Sequence, residues 1–179
     1  MKIVMNGGHC PGKDPGAVGA QATEAAVCRK VMEQAALLLR DQGHETLTVQ
    51  TNELADIVGA SDGYGADLFV SVHCNAAGNQ AARGSEVYFA SAAGSHLAAC
   101  ICSRLTRELE TNDRGARDGS RLYVLRHTTA VAVLVELAFI SNPVDEALLL
   151  GRTDAFASAV VGGILDFLNG KEAEEWMKC

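Results

Sequence analysis

Short strand-like segments alternate with longer helix-like segments along this chain, and this alternation constrains its fold more than any other feature. Six segments are rich in β-branched, aromatic and other apolar residues, as strands are: "KIVMN" (2–6), "ETLTVQ" (45–50), "DLFVSVHC" (67–74), "SEVYFA" (85–90), "RLYVL" (121–125) and "VAVLVEL" (131–137). Strands that alternate with helices favour a mostly parallel sheet covered on both faces. We therefore expect one α/β domain with a twisted sheet of about six strands and helices on both faces.

Three segments carry apolar residues at helical spacing, at 23–43, 95–110 and 154–170. The first is the clearest, because Thr23 is a suitable N-cap and Gly43 is a suitable stop. No linker, internal repeat or low-complexity run interrupts the chain, and 179 residues with 48% hydrophobic content are enough for one core. We therefore assign one domain to residues 1–170 and a C-terminal tail to residues 171–179.

The charge and the cysteine pattern argue against several classes of protein. A net charge of −7 and a pI near 5.2 disfavour a broad surface for nucleic acid or anionic membrane, because such surfaces need clustered Lys and Arg. No stretch approaches the roughly 20 apolar residues that span a bilayer, and no secretory signal is recognisable after Met1. The six cysteines form no CxxC pair, so we expect reduced thiols and synthesis in the cytoplasm.

The opening segment "MKIVMNGGHCPGKDPGAVG" places glycines, a histidine and an Asp-Pro-Gly turn directly after the first strand. It contains neither a GxGxxG nor a GxxxxGK[ST] pattern, so a nucleotide is not its expected ligand. Open α/β sheets bind ligands beyond the carboxyl ends of their strands. Four residues are expected at that edge: His9 after the first strand, Glu24 at the start of the first helix, His73 at the end of the third strand and Glu136 near the end of the sixth.

Two imidazoles and two carboxylates at one sheet edge suit a zinc site. Zinc favours these ligand types, and a catalytic zinc keeps three protein ligands and one water. The fourth residue is then available as a general base for hydrolysis. Each residue also has a structural explanation: a histidine can close a strand, Glu24 is favoured by the helix dipole, and Glu136 can form an ion pair or lie on an exposed edge. The residue types therefore leave both a metal hydrolase and a structural role open.

Several motifs together resemble the zinc-dependent N-acetylmuramoyl-L-alanine amidases of the amidase-3 type. They are "GGHCPGKDPGAVG", "TE", "ADLFVSVHCNA", "GSEVYF" and "AVLVELAFISNPVDEALL". The motifs follow the order of that family through nearly the whole chain. "SVHCNA" and "VLVELAFISN" are specific as a pair, whereas the glycine-rich opening is a weak signal by itself.

This resemblance implies a cofactor, a substrate and a role for each candidate residue. His9, Glu24 and His73 occupy the positions that hold one zinc ion in the family, and Glu136 occupies that of the late catalytic glutamate. The implied enzyme hydrolyses peptidoglycan at the amide bond between N-acetylmuramic acid and the L-alanine of the stem peptide. It acts on the bacterial cell wall, either after release from the cytoplasm or as a trimmed catalytic domain that covers residues 1–170.

The chain departs from the family pattern near the proposed site. Asn6 stands where an Asp is usual, and Cys10 falls within what is commonly a Gly-Gly step. Thiolate is a good zinc ligand, so Cys10 and Cys74 are alternative ligands beside the two histidines. We expect Cys74 to face away from the metal if His73 faces it, because successive side chains of a strand point to opposite faces.

Two further questions remain open at the level of sequence. Arg114 and Arg117 resemble a family segment near the site, where a guanidinium can hold a peptide carboxylate, but a solvated basic loop fits them equally well.

Two other functions are also compatible with the residue types. A zinc carboxypeptidase or aminopeptidase would use the same ligand types, and a non-catalytic wall-binding module would keep the substrate groove without the catalytic chemistry. Retention of Glu136 argues against such a module, because a binding module has no need of a buried base.

Overall fold

The computed structural model describes residues 1–170, and the predicted tail at 171–179 lies outside these described residues. The elements follow one another in the order β1 (Lys2–Gly7), α1 (Glu24–Asp41), β2 (Glu45–Val49), α2 (Leu54–Tyr64), β3 (Leu68–Asn75), β4 (Ser85–Phe89), α3 (Ala92–Leu109), β5 (Asp113–Asp118), α4 (Tyr123–His127), β6 (Val131–Phe139), α5 (Pro143–Gly151) and α6 (Thr153–Leu168). The three predicted helices correspond to α1, α3 and α6.

The strands form one sheet in the order β2-β1-β3-β6-β4-β5. The first four of these run parallel to one another, whereas β4 is antiparallel to β6 and β5 is parallel to β4. The carboxyl ends of β1, β3 and β6 therefore meet at one edge of the sheet. The prediction of a six-stranded, mostly parallel α/β sheet is confirmed.

The two faces of the sheet carry separate apolar clusters. Met5 and Val70 are paired across β1 and β3, and both belong to the larger cluster, which α1, α3 and α6 complete. The preceding pair, Val4 and Phe69, points the opposite way, to a smaller cluster with α2 and α4. This division follows from the two-residue period of side chains along a strand. Helices cover both faces, as the sequence predicts.

One predicted strand is wrong. Residues 121–125 lie in a turn and in α4, where the buried side chains of Val124 and Leu125 pack into the smaller cluster. The fifth strand is instead β5, "DRGARD", at the edge of the sheet. Within residues 1–170, β5 pairs with β4 alone, and none of its residues is buried. No face of β5 packs against the core, so its sequence lacks the alternation of apolar and polar residues that marks a half-buried strand.

The helices α2 and α5 were not predicted, although α5 has clear start signals. Pro143 occupies its first turn, and the side chain of Asn142 caps it by accepting hydrogen bonds from the backbone of Val144 at 3.0 Å and Asp145 at 3.1 Å. Among residues 1–170, no single helix is long and apolar enough to cross a membrane. The helices α5 and α6 pass that test only as a pair bent by 83°.

Candidate active site

His9, Glu24 and His73 meet at the carboxyl edge of the sheet. His9 follows β1 in the opening loop, Glu24 is the first residue of α1, and His73 lies near the end of β3. Glu24 bridges the two histidines, with Oε2 at 3.2 Å from His9 Nε2 and Oε1 at 2.8 Å from His73 Nδ1. One nitrogen or oxygen of each residue lies within 4.8 Å of the other two, so the three can share one metal ion.

Asp14 fixes the orientation of the His9 ring. His9 Nδ1 donates a hydrogen bond to Asp14 Oδ2 at 2.7 Å, and this bond lowers the pKa of Asp14 from its ordinary value. Asp14 Oδ1 in turn accepts from the backbone of Gly16 at 2.9 Å. Because Nδ1 is occupied in this way, Nε2 is the ring atom that faces Glu24 and a metal ion, as is usual for a histidine ligand held by a carboxylate.

Glu24 is a buried carboxylate that keeps its charge. Burial acts to raise the pKa of Glu24, but hydrogen bonds from His73 and from the backbone amides of Ala17 and Cys74 outweigh it and lower this pKa below its ordinary value. The amides lie 2.9 Å from Oε2 and 3.1 Å from Oε1, respectively. Glu24 is therefore ionised at neutral pH and suited to bind a cation.

Two glycines leave room for the ligand side chains. A β-carbon on Gly8 would collide with the His73 ring, and one on Gly16 would collide with both His9 and Glu24. Gly16 also has a φ of 66°, a left-handed conformation that favours glycine. The glycine-rich opening thus serves to pack the backbone directly against the three ligands.

Glu136 lies beside this group and has no ion-pair partner among residues 1–170. It is paired with His73 across β3 and β6, so both side chains stand on the same face of the sheet. Its Oε2 atom is enclosed and has no hydrogen-bond partner in the described part of the chain. Burial, and next the negative charges of Glu24 and Glu86, raise the pKa of Glu136 to about 8. The ion-pair and exposed-edge explanations of this residue are therefore not supported.

Glu86 is a site residue that the sequence analysis missed. It is buried on β4, and its backbone is paired with that of Glu136. Its Oε1 atom accepts hydrogen bonds from Asn75 Nδ2 at 2.6 Å and from the Tyr88 hydroxyl at 3.0 Å. The signal in the sequence is the carboxylate in "GSEVYF", a charged residue directly before the apolar and aromatic residues Val87, Tyr88 and Phe89.

Arg114 and Arg117 are bound to Glu86 rather than forming a solvated loop. Arg114 Nε donates to Glu86 Oε2 at 2.9 Å, and Arg117 Nε lies 2.8 Å from the same oxygen. Both arginines belong to β5, and the Arg114 guanidinium also lies over the Phe139 ring, 4.8 Å from its centroid.

The cysteines beside the histidines do not join the metal-binding group. Cys74 is 3% exposed and belongs to the larger apolar cluster, on the face opposite to His73, as the strand alternation predicts. Cys10 is partly exposed, and the nearest recorded partner of its sulfur is the carbonyl oxygen of Pro11 at 4.0 Å. The five cysteines of residues 1–170 are free thiols.

An open cavity of about 350 Å³ lies beside the two histidines. His9, Asp14 and His73 form one wall of this cavity. Its other walls are largely apolar and come from α2, α4 and the residues around them: Leu54, Ile57, Leu122, Tyr123 and Val124. The metal-binding group therefore borders a largely apolar cavity.

The sequence profile of the amidase-3 family, N-acetylmuramoyl-L-alanine amidase, matches residues 3–166. The chain belongs to this family. This amidase is 28% identical over 192 residues to the germination-specific N-acetylmuramoyl-L-alanine amidase of Bacillus subtilis, with 94% of this chain and 80% of that protein covered. It is 34% identical over 173 residues to the protein YqiI of the same organism, with 90% of this chain and 82% of that protein covered.

Solved structures show the same fold. The N-acetylmuramoyl-L-alanine amidase AmiC2 of Nostoc punctiforme superimposes on this amidase with a TM-score of 0.89 at 29% identity, covering 94% of this chain and 97% of that one. The catalytic domain of CwlV from Bacillus (Paenibacillus) polymyxa superimposes with a TM-score of 0.86 at 28% identity, covering 94% of this chain and 98% of that one. The predicted family, fold and peptidoglycan hydrolase activity are thereby confirmed. The family is generally zinc-dependent, and the group of His9, Glu24 and His73 in this amidase can hold a metal ion.

Proposed function

We propose that His9, Glu24 and His73 hold one zinc ion, and that Glu136 is the general base and acid that cleaves the bond between N-acetylmuramic acid and L-alanine. The substrate is peptidoglycan, and the site of action is the bacterial cell wall. The catalytic unit comprises residues 1–170.

The donor set fits zinc in number and in kind. Two imidazole nitrogens and one carboxylate oxygen are ligands that zinc prefers, and three protein ligands leave a position for water. Glu24 remains ionised because backbone amides and His73 donate to it. Asp14 holds His9 from behind, so the imidazole is oriented before any metal arrives.

Glu136 is suited to move the proton in this reaction. When bound, zinc supplies Lewis acidity, which lowers the pKa of water to roughly 7 and polarises the substrate carbonyl. Glu136 accepts the proton of the attacking water while the oxygen adds to the lactyl carbonyl carbon. Glu136 then donates that proton to the nitrogen of L-alanine, the C–N bond breaks, and a lactyl carboxylic acid and a free amine result; the acid then loses its proton to solvent.

The unpaired Oε2 atom of Glu136 is the observation that carries this assignment. An enclosed carboxylate oxygen without a partner destabilises the fold, so its position beside a metal-binding group calls for a chemical role. The neighbouring carboxylate of Glu86, in contrast, accepts hydrogen bonds on both of its oxygen atoms.

Digestion of purified peptidoglycan tests the proposal. The zinc-loaded protein is expected to release stem peptides with new N-terminal L-alanine and to create no new reducing sugar ends. Chelation followed by measurement of residual metal is expected to abolish the release, and added zinc to restore it. Release of single amino acids would instead indicate a peptidase, and release by a metal-free preparation would refute the zinc assignment.

A further inference from the structure

We infer that Arg114 and Arg117, held in place by Glu86, bind a free carboxylate of the stem peptide and thereby select among peptidoglycans. This inference rests on the proposed function. The second residue of a stem peptide is D-glutamate joined through its side-chain carboxyl group, so its α-carboxyl group is either a free carboxylate or an amide. The two arginines distinguish these two forms.

One row of residues across the sheet connects the metal-binding group to the arginines. His73 is paired with Glu136, and Glu136 is paired with Glu86, on three neighbouring strands. Side chains of paired residues stand on the same face, and neighbouring strands are about 4.8 Å apart. Glu86 therefore lies about 10 Å from His73 along this row, and Arg114 and Arg117 reach it from β5, the next strand.

The chemistry of cleavage sets the direction of the substrate along this row. Glu136 donates a proton to the nitrogen of L-alanine, so this nitrogen lies beside Glu136 and the peptide continues beyond it. An extended residue spans about 3.5 Å, which places the carboxylate of the second residue about 7 Å from the broken bond. Along the row, the groups at that distance are the arginines on Glu86.

Two guanidinium groups contact a single carboxylate in the arginine cluster. Arg114 and Arg117 both lie against the Oε2 atom of Glu86. Asn75 and Tyr88 already satisfy the other oxygen of Glu86, so a second arginine is not needed to stabilise this buried carboxylate. The second guanidinium group is therefore available to an anionic ligand.

Both arginines also present free donors. Each uses its Nε atom for Glu86, and within residues 1–170 no hydrogen-bond acceptor is recorded for their terminal nitrogen atoms. Their side chains are 33% and 46% exposed, so a ligand can reach them. Within residues 1–170, Asp113 and Asp118 of the same strand form no ion pair with either arginine, and their side chains accept hydrogen bonds from Gly115 and Ser120 instead. Guanidinium groups fixed in this way are suited to bind a carboxylate through two parallel hydrogen bonds.

The test compares two forms of one substrate. Peptidoglycan fragments with a free D-isoglutamate and with the amidated D-isoglutamine are digested by the parent, by Arg117→Gln and by the control Arg107→Gln, an exposed arginine on α3. We expect kcat/KM of the parent to favour the free acid by about 10-fold to 100-fold, as charge-assisted hydrogen bonds provide. The ratio of kcat/KM for the free acid to kcat/KM for the amide should fall to near 1 in Arg117→Gln and keep its parental value in Arg107→Gln. Arg117→Lys keeps the charge but loses the planar donor pair, so its ratio should lie between these two values.

The outcomes separate this inference from the proposed function. Equal cleavage of both forms by the parent, or a preference that Arg117→Gln leaves intact, overturns the inference and leaves the amidase assignment standing. Full activity of Glu136→Gln with an Arg117-dependent preference refutes the proposed base and keeps the inference. Binding of the product dipeptides, L-alanyl-D-isoglutamate and its amide, gives a second readout without turnover. Melting temperatures of all variants show whether Arg117→Gln remains folded, and Arg117→Lys replaces it if it does not.

Discussion

His73 and Glu136 are paired residues on adjacent parallel strands, and their side chains stand side by side on one face of the sheet. The backbone hydrogen bonds of β3 and β6 therefore fix the separation between a proposed metal ligand and the proposed base. The other two ligands are held differently, because His9 lies in a loop and Glu24 at a helix start. Metal binding is therefore expected to be sensitive to conservative substitutions in the opening loop, which holds His9 and leads to Glu24.

Glu136→Gln is expected to lower turnover by roughly 10²-fold to 10⁴-fold, the usual contribution of a positioned acid–base group. Glutamine keeps the shape of the side chain but cannot accept the proton. The zinc content should remain at the parental value because Glu136 is not one of the three proposed ligands. Stem-peptide release and metal content, measured on the same preparation beside the control Glu33→Gln on the exposed side of α1, check this result. Loss of zinc together with activity would mark Glu136 as a ligand instead.

The same substitution is expected to change the pH dependence of stability in the metal-free protein. The pKa of Glu136 is raised from an ordinary 4.5 to about 8, so between these values the unfolded chain releases a proton that the folded protein retains. Glu136 therefore lowers the free energy of unfolding as pH rises through this window. Metal-free Glu136→Gln should equal the parent near pH 4.5 and exceed it at pH 8 by on the order of 4 kcal/mol, because each unit of difference between the folded and unfolded pKa contributes about 1.4 kcal/mol. Urea unfolding across this range measures the difference, and parallel curves would show that Glu136 ionises normally.

His73→Ala is expected to lose stoichiometric zinc, because only one imidazole and one carboxylate would remain. His96→Ala is the matched control, since His96 is exposed on α3 away from the site. Cys10→Ser should also retain zinc if the loop thiol is not a ligand. Elemental analysis after dialysis checks all three proteins. Retention of one zinc per chain by His73→Ala, or loss of zinc by Cys10→Ser, would require a different ligand set.

Gly16→Ala is expected to weaken zinc binding by at least 10-fold, because its β-carbon would collide with both His9 and Glu24. Gly12→Ala is a control for backbone strain alone. Gly12 lies in the same loop with a φ of 85°, but a β-carbon there meets no atom within 4 Å. Zinc affinity measured by competition with a chelator should fall in the first variant and stay near the parental value in the second. Equal losses in both would show that strain, and not collision with the ligands, governs the loop.

The sequence was sufficient to predict the four residues at the carboxyl edge, since parallel strands place their ends together there. His9, His73 and Glu136 each follow or end a strand that is apolar enough to recognise. Glu24 could be placed because its helix directly follows the opening loop. The part of the site built from parallel strands was thus accessible without a structure.

Glu86 was not predicted as a site residue in this way, and Arg114 was left open between a site residue and a solvated loop. Each is the second residue of its strand, and β4 runs antiparallel to β6, so the amino ends of β4 and β5 lie at the edge where the other strands finish. A rule based on carboxyl ends overlooks such residues. The short, polar β5 added to this difficulty, because its exposed side chains resemble those of a loop.

The strand that carries Glu136 is the last strand within residues 1–170 but lies in the middle of the sheet, between β3 and β4. On the ribosome, a growing chain can thus form only two partial sheets, β2-β1-β3 and β4-β5, until residues 131–139 have been translated. Until that moment β3 and β4 each expose an unpaired edge that neighbouring chains can join. The three proposed zinc ligands are translated more than 50 residues earlier than the proposed base. Competence to cut the wall therefore appears only after β6 has been translated and has closed the sheet between β3 and β4.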